Sequence, residues 1–166
     1  MITRTISIDV EYLFNLVNQK TLYIADQVDP DLNEKMIGKI AITLDEYDAF
    51  KVFMRRGAME AFKALSRLAF DTESPFGYIR DDNNKDVSIF YKLAFKDEVQ
   101  ANIAAPIITD HIQRAIVAYV VKEWLRTKHL NSNYYSLDQE EYDYCLRELR
   151  SLRGYSNRAK TGFKYM

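Results

Sequence analysis

The longest helical pattern in the chain, residues 44–70, is the feature that most constrains its fold. Apolar side chains recur three and four residues apart along it, as on one face of an α-helix. These residues are Tyr47, Phe50, Met54, Ala58, Ala61, Leu65 and Leu68. The apolar stripe is widened by Phe53, Met59, Phe62 and Ala69. We therefore expect a central helix that other elements cover on more than one side.

Two details bear on the predicted helix over residues 44–70: a capping box supports it, and a glycine inside it weakens it. The run Thr43-Leu44-Asp45-Glu46 matches a capping box, in which a threonine and a glutamate satisfy the first backbone N–H groups. Gly57 lies inside the pattern, where glycine costs about 1 kcal/mol relative to alanine. We expect either a close approach of another backbone at Gly57 or a bend in the helix.

The second half of the chain predicts two more helices. Pro106 is suited to the first turn of a helix that ends near Lys128, while residues 96–105 fit either a helix or a loop. Trp124 is the predicted core anchor of this helix. A short loop then leads to a helix over residues 137–153, so the two helices should pack as an antiparallel hairpin.

The run Ser136-Leu137-Asp138-Gln139 matches a second capping box at the start of the last helix. The spacing of apolar residues indicates which side chains of this helix face the core. They are Leu137, Tyr144 or Cys145, Leu149 and Leu152.

Short β-elements complete the prediction. Residues 2–8 alternate apolar and polar side chains, as in a strand, and Asp9 can cap a helix over residues 10–19. Whether that helix continues over the less regular residues 21–28 is open. Residues 76–80 and 87–95 read as a β-hairpin with a charged tip. The predicted class is mainly α (α+β): a helical bundle with a short N-terminal strand and a β-hairpin. The predicted domain covers residues 1–153, with the hairpin inserted at about 76–95.

Composition narrows the functional classes. The 166 residues carry a net charge of −1, so no overall basic field attracts nucleic acid. The single cysteine, Cys145, excludes an internal disulfide and is expected to be a buried, inert thiol. Charged residues interrupt the most apolar stretch, 103–125, which argues against a membrane span. A reducing, cytosolic origin is the default expectation.

The sequence carries no recognisable catalytic, cofactor or metal motif. The five glycines are isolated, so no phosphate-binding loop is predicted. His129 is expected at a helix end and His111 at the surface or in an interface. Residues 82–86 resemble the start of a calcium loop, but Val87 and Leu93 occupy positions that require glycine and a carboxylate. We therefore expect a protein that is not an enzyme and holds no cofactor.

The C-terminal residues 154–166 form a basic, aromatic tail without helical or strand periodicity. Such a segment is typical of a docking arm that binds another protein surface. Its predicted partner-binding residues are Tyr155, Arg158, Lys160, Phe163, Lys164 and Tyr165.

Three stretches resemble structural proteins of tailed phages and prophages: ITRTISIDVEYLFNLV, TDHIQRAIVAYVVKEWL and YYSLDQEEYDYCLRELRSLR. In that group a helix ending near a tryptophan precedes a second helix and a basic C-terminal segment. Such proteins are similar to head–tail connectors, or adaptors, which form rings below the portal.

The resemblance implies a non-enzymatic component of the virion, made in the cytoplasm of a bacterial host. It implies contacts with other copies in a ring, with portal, neck or tail proteins, and with DNA in the lumen, but none with a membrane. The alternative is a small helical regulatory or nucleic-acid-binding protein, whose basic tail contacts phosphates and whose aromatic residues stack on bases.

Overall fold

The computed structural model describes residues 1–28, 39–65 and 74–152. These contain three strands, which are β1 (Ile2–Asp9), β2 (Phe76–Arg80) and β3 (Asp86–Phe95). The α-helices with assigned bounds are α1 (Val10–Val28), α2 (Tyr47–Leu65), α3 (Glu98–Thr127) and α4 (Ser136–Ser151). The predicted class, mainly α with a small sheet and an N-terminal strand, is confirmed.

The sheet is antiparallel, with strand order β1-β3-β2. β1 pairs with β3 along its whole length, from Ile2 opposite Phe95 to Asp9 opposite Ser88. β2 is shorter and has a bulge between Ile79 and Arg80. One face of the sheet packs on the helices through alternating buried residues. Those of β1 and β3 are Ile6, Ile8, Ile89, Tyr91, Leu93 and Phe95.

Helix α3 lies at the centre of the molecule and packs against α1, α2, α4 and β1. Four consecutive residues, Ala115 to Ala118, are buried, which requires cover on all sides of the helix. The prediction that the helix over residues 44–70 is the central one was wrong, although its described part, residues 44–65, is helical. Residues 66–70 lie outside the described chain. α2 buries a single stripe and leaves Val52 and Met59 exposed. The charged residues within α3 made its sequence look less buried than the helix is. One of them, Lys122, is buried between the rings of Tyr119 and Tyr142.

Helix α3 begins earlier than expected. Asp97 is its N-cap, and the Asp97 carboxylate accepts a hydrogen bond of 2.9 Å from the backbone N–H of Gln100. Residues 98–105 are therefore helical, and Pro106 lies inside the helix. The prediction that Pro106 marks the first turn was wrong, because the aspartate cap starts the helix upstream of it.

The two predicted capping boxes have opposite outcomes. The Thr43–Glu46 box is formed, with the Glu46 carboxylate accepting from the Thr43 backbone N–H at 2.9 Å. The Ser136 box is absent: Tyr135 occupies the N-cap position without a side-chain cap. The Ser136 hydroxyl instead lies 3.4 Å from the carbonyl oxygen of Asn133. The predicted burial of Leu137 was also wrong, since Leu137 is 77% exposed.

Several local expectations are confirmed. Asp9 caps α1, accepting from the Tyr12 N–H at 2.7 Å, and α1 continues to Val28. Trp124 is buried, and its indole N–H donates to the carbonyl of Ile40 at 2.6 Å. A Cβ at Gly57 would lie 3.4 Å from the Ile116 Cα of α3. Glycine thus permits the close approach of α2 and α3.

The buried carboxylate of Asp86 ties the hairpin to α2. Arg55 of α2 donates from Nε to Asp86 Oδ2 at 2.8 Å and from Nη2 to Oδ1 at 3.0 Å. Arg80 adds a hydrogen bond from Nε to Oδ1 at 3.1 Å. Asp86 is 2% exposed, whereas the side chains of Arg55 and Arg80 are 35% and 46% exposed. The two arginines therefore satisfy a buried carboxylate from the partly exposed side of the hairpin.

We expect Asp86→Ala to lower the free energy of unfolding by about 1.5–3 kcal/mol, the usual contribution of hydrogen bonds to a charged group, because the arginines left behind are partly exposed to water. Urea denaturation measures this. Asp82→Ala, in the exposed turn of the same hairpin, is the matched control and should change stability by less than about 0.5 kcal/mol. Equal effects of the two substitutions would refute the structural role of Asp86.

A candidate protein-docking groove

An open groove lies between α1 and the start of α4. It encloses about 560 Å³. α1 contributes six lining residues, and the α3–α4 connection and α4 contribute the other three. The lining residues are Leu16, Gln19, Lys20, Tyr23, Ile24, Gln27, Tyr134, Leu137 and Asp138. The groove is thus a largely apolar channel with polar groups at a few points.

The local sequence explains how the groove forms. α1 buries Leu13, Val17 and Ile24 against the core, which turns the neighbouring Leu16 and Tyr23 toward α4. After α3, the Asn131 side chain accepts a hydrogen bond from the Asn133 N–H at 3.1 Å. This turn leads into a short 3₁₀ helix, Ser132–Tyr134, and brings Tyr134 and Leu137 to the groove.

The groove exposes large apolar side chains to water. Tyr23 is 65% exposed and Leu137 is 77% exposed. Single exposed apolar residues are common, but a contiguous exposed apolar surface typically marks an interaction site. The groove therefore has the composition of a surface that binds another polypeptide.

An ion pair spans the groove. Lys20 Nζ of α1 lies 3.3 Å from Asp138 Oδ1 of α4. Burial raises the pKa of the Asp138 carboxyl above its ordinary value, and the positive charge of Lys20 opposes this effect. The pair fixes α1 against α4, but the desolvated carboxylate weakens the fold when it is ionised.

Two exposed carboxylates lie on the helices that form the groove. Asp26 follows Tyr23 by three residues on α1, and Glu140 follows Leu137 by three residues on α4. Residues with this spacing are neighbours on a helix surface. Neither carboxylate is in an ion pair within the described part of the chain. They give the groove an acidic border.

The pH dependence of stability tests the environment of Asp138. Since its pKa is raised in the folded state, the stability that its neutral form contributes is lost as pH rises through the folded pKa. The stability of Asp138→Asn relative to wild type should therefore increase from pH 3 to pH 7.

Glu141 on the same helix provides the contrast. Hydrogen bonding from Arg114 lowers the pKa of the Glu141 carboxyl, so Glu141→Gln should lose stability relative to wild type as pH rises over the same range. Urea titrations at several pH values measure both trends. Parallel trends in the two variants would contradict the assignment.

Three other residues of types that can carry chemistry are Cys145, His111 and Asp81. Cys145 is buried, and burial raises the pKa of its thiol to about 11, which agrees with an inert residue. His111 is buried and forms a T-shaped ring pair with Tyr144, and its Nδ1 has no hydrogen-bond partner among the described residues. The expected surface position of His111 was therefore wrong, and the interface alternative stays a prediction. Asp81 accepts hydrogen bonds from the N–H groups of Asn83 and Lys85 and shapes the hairpin turn.

A second cavity, of about 530 Å³, opens between the start of α1 and the hairpin. Its lining includes Asp9, Glu11, Tyr47, Lys85 and Asp86. Asp9 caps α1 and Asp86 holds two arginines. Two of its carboxylates therefore already serve the fold. Within residues 1–28, 39–65 and 74–152, no three His, Cys, Asp or Glu side chains are grouped so as to hold a metal ion.

The residues predicted to bind partners lie outside the described part of the chain. They are Tyr155, Arg158, Lys160, Phe163, Lys164 and Tyr165. The groove was not predicted. Its signal was Leu137, which periodicity had assigned to the core.

Among the described helices, none combines the length and the apolar character needed to cross a membrane. Comparison of the chain with protein-family models, curated proteins and solved structures finds no match.

Proposed function

We propose that this protein is a non-enzymatic structural subunit of a tailed-phage virion, of the head–tail connector or neck/tail ring type. The observation that supports this most is the exposed apolar groove between α1 and α4, with Tyr23 and Leu137 on its surface. A groove of this composition fits a polypeptide better than it fits a small polar substrate.

A closed ring requires two different, complementary surfaces on each subunit. In our proposal the groove is one of them, and the C-terminal tail of the neighbouring copy is the other. Phe163 and Tyr165 would enter the apolar channel. Lys160 and Lys164 would face the carboxylates of Asp26 and Glu140.

The length of the tail permits this contact. α4 has 16 residues and is about 24 Å long at 1.5 Å per residue. The groove lies at its start, and the described chain ends beyond its last turn, at Leu152. Residues 153–166, at about 3.3 Å each when extended, span at most roughly 46 Å. The tail is therefore long enough to span the length of α4. Phe163 and Tyr165 are near its far end in sequence, whereas Tyr155 follows Leu152 by only three residues.

The other proposed partners are those that a ring between the head and the tail of a virion would contact. Portal, neck or tail proteins would contact its two rims, and DNA passing through the lumen would meet its inner surface. The subunit would be made in the cytoplasm of the bacterial host and act in the virion.

Removal of residues 155–166 should leave the fold intact but block assembly, because every described core contact lies before residue 153. Thermal unfolding monitors the fold, and electron microscopy of particles monitors assembly. Particles that form normally with the shortened chain would refute the role of the tail.

Cross-linking between copies tests the groove directly. We would mix full-length Leu137→Cys with full-length Phe163→Cys under mild oxidation and expect a disulfide-linked pair of chains. Cys145 should interfere little, since its buried thiol has a raised pKa. Replacing Leu137→Cys with Lys63→Cys, an exposed position on α2, is the control and should abolish the product.

Two outcomes of the cross-linking experiment count against the proposal. Equal yields from Leu137→Cys and Lys63→Cys would show that the groove does not select the tail. A double variant, Leu137→Cys with Phe163→Cys, that closes only within single chains would place the tail on its own molecule.

Fluorescence anisotropy with duplex DNA examines the alternative function. A regulatory or nucleic-acid-binding protein should bind tightly and lose affinity steeply with salt, because phosphate contacts release counterions. Strong, salt-sensitive binding by a chain that does not associate with itself would replace our proposal.

A further inference from the structure

The first half of α3 carries an exposed apolar stripe. Val99, Ile103 and Ile107 follow one another at intervals of four residues and are 68%, 54% and 43% exposed. Pro106 is exposed beside Ile107. Side chains four residues apart on a helix lie on one face, so these residues form a continuous band. We call them the α3 stripe.

The free edge of β1 is open to pairing. Within the described residues β1 is hydrogen-bonded only to β3, and its register runs from residue 2 to residue 9 without a shift. β1 contains no proline, and its outward side chains include Thr3, Thr5 and Ser7. Proteins usually protect an edge strand by keeping it short or by a bulge, a proline or charged side chains, including inward-pointing ones. β1 has one inward-pointing charge, Arg4, whose guanidinium is held by Asn102 and Glu98 of α3. β2, the other edge, is short and has a bulge, whereas β1 has neither feature.

The α3 stripe and the edge of β1 belong to one surface. Arg4 of β1 donates a hydrogen bond from Nη2 to Asn102 Oδ1 at 2.9 Å and lies 3.6 Å from Glu98 Oε1. Glu98 and Asn102 share the first turns of α3 with Val99 and Ile103. α3 also packs against β1 more extensively than against β3. The stripe therefore lies beside the β1 edge of the sheet, on the side of the sheet that packs against α3.

We propose that this surface binds the same surface of a second copy across a two-fold axis. The two β1 strands would pair antiparallel and extend the sheet, while the two α3 stripes would pack beneath them. A two-fold interface requires a self-complementary surface. Apolar stripe against apolar stripe, and strand edge against strand edge, satisfy that requirement.

The sequence of β1 favours this arrangement over a parallel one. An antiparallel register centred on Thr5 places Thr5 opposite Thr5, Thr3 opposite Ser7, and Ile2 opposite Ile8. Such Thr–Thr and Thr–Ser pairs are favourable in sheets. Parallel pairing in register would instead set Arg4 against Arg4 and Asp9 against Asp9, which like-charge repulsion disfavours.

The α3 stripe adds the apolar contact area that a stable dimer needs beyond strand pairing. A pair of edge strands alone buries little apolar surface, and isolated two-stranded pairing is marginal in water. Burying Val99, Ile103 and Ile107 from two copies adds a hydrophobic contribution. The dimer does not depend on the proposed virion function, because the docking groove lies on α1 and α4.

Sedimentation of the full-length protein over a range of concentrations tests the dimer. We expect wild type to show a reversible dimerisation step that Ile103→Asp lacks at the same concentrations, while any association through the tail and the groove should remain in both. Val52→Asp, at a position on α2 that is 49% exposed, is the matched control and should dimerise like wild type.

Hydrogen exchange provides a second measurement on the same samples. In a β-strand, alternate N–H groups point to opposite sides, so half of the β1 amides face the free edge. These should be protected in wild type and exchange quickly in Ile103→Asp, while the amides bonded to β3 stay protected in both.

Three results would overturn the proposal. Wild type could remain monomeric at millimolar concentration, or Ile103→Asp could associate as wild type does. The edge-facing amides of β1 could also exchange quickly in an associated wild-type sample. If association is lost on removing the tail but not in Ile103→Asp, the groove is the contact and the β1 dimer is wrong.

Discussion

The burial of the middle of α3 on all sides governs the arrangement of the other elements. Ala115 to Ala118 have no face left for water, so α1, α2, α4 and the sheet must each turn one apolar face toward this helix. Each of those elements then has a second face that points outward. The groove between α1 and α4 and the edge of β1 both belong to this outer layer. The candidate interaction surfaces are a consequence of how the core is filled.

A few buried polar groups fix the layers in one arrangement. Trp124 donates its indole N–H to Ile40, and the Tyr91 hydroxyl donates to the carbonyl of Ala58 at 3.0 Å. Asp86 joins α2 to the hairpin through two arginines. An unmade buried hydrogen bond costs about 1–3 kcal/mol, so a shifted helix or strand would lose more than apolar contacts. These bonds hold the outer surfaces in fixed positions, which is a requirement for repeated contacts between subunits.

The features that could be predicted from the sequence are those that depend on residues close together in the chain. β1, the hairpin and the Thr43 cap were foreseen because alternation and capping act over a few residues. The start of α3 was missed because Asp97 and Pro106 both signal a helix start, and only packing decides between them. Leu137 was assigned to the core because its exposure depends on the turn at 131–135, which sets the phase of α4. The groove and the α3 stripe arise from tertiary packing, so periodicity alone could not reveal them. The six tail residues expected to bind partners lie outside the described chain, and their role stays a prediction.

Electron cryomicroscopy of the full-length protein, alone and produced together with candidate portal and neck proteins, gives the most direct test of the proposed assembly function. We expect a closed ring in which a segment from an adjacent chain fills the groove between α1 and α4. Single copies that join no ring, with the groove open to solvent in the presence of those proteins, would contradict it.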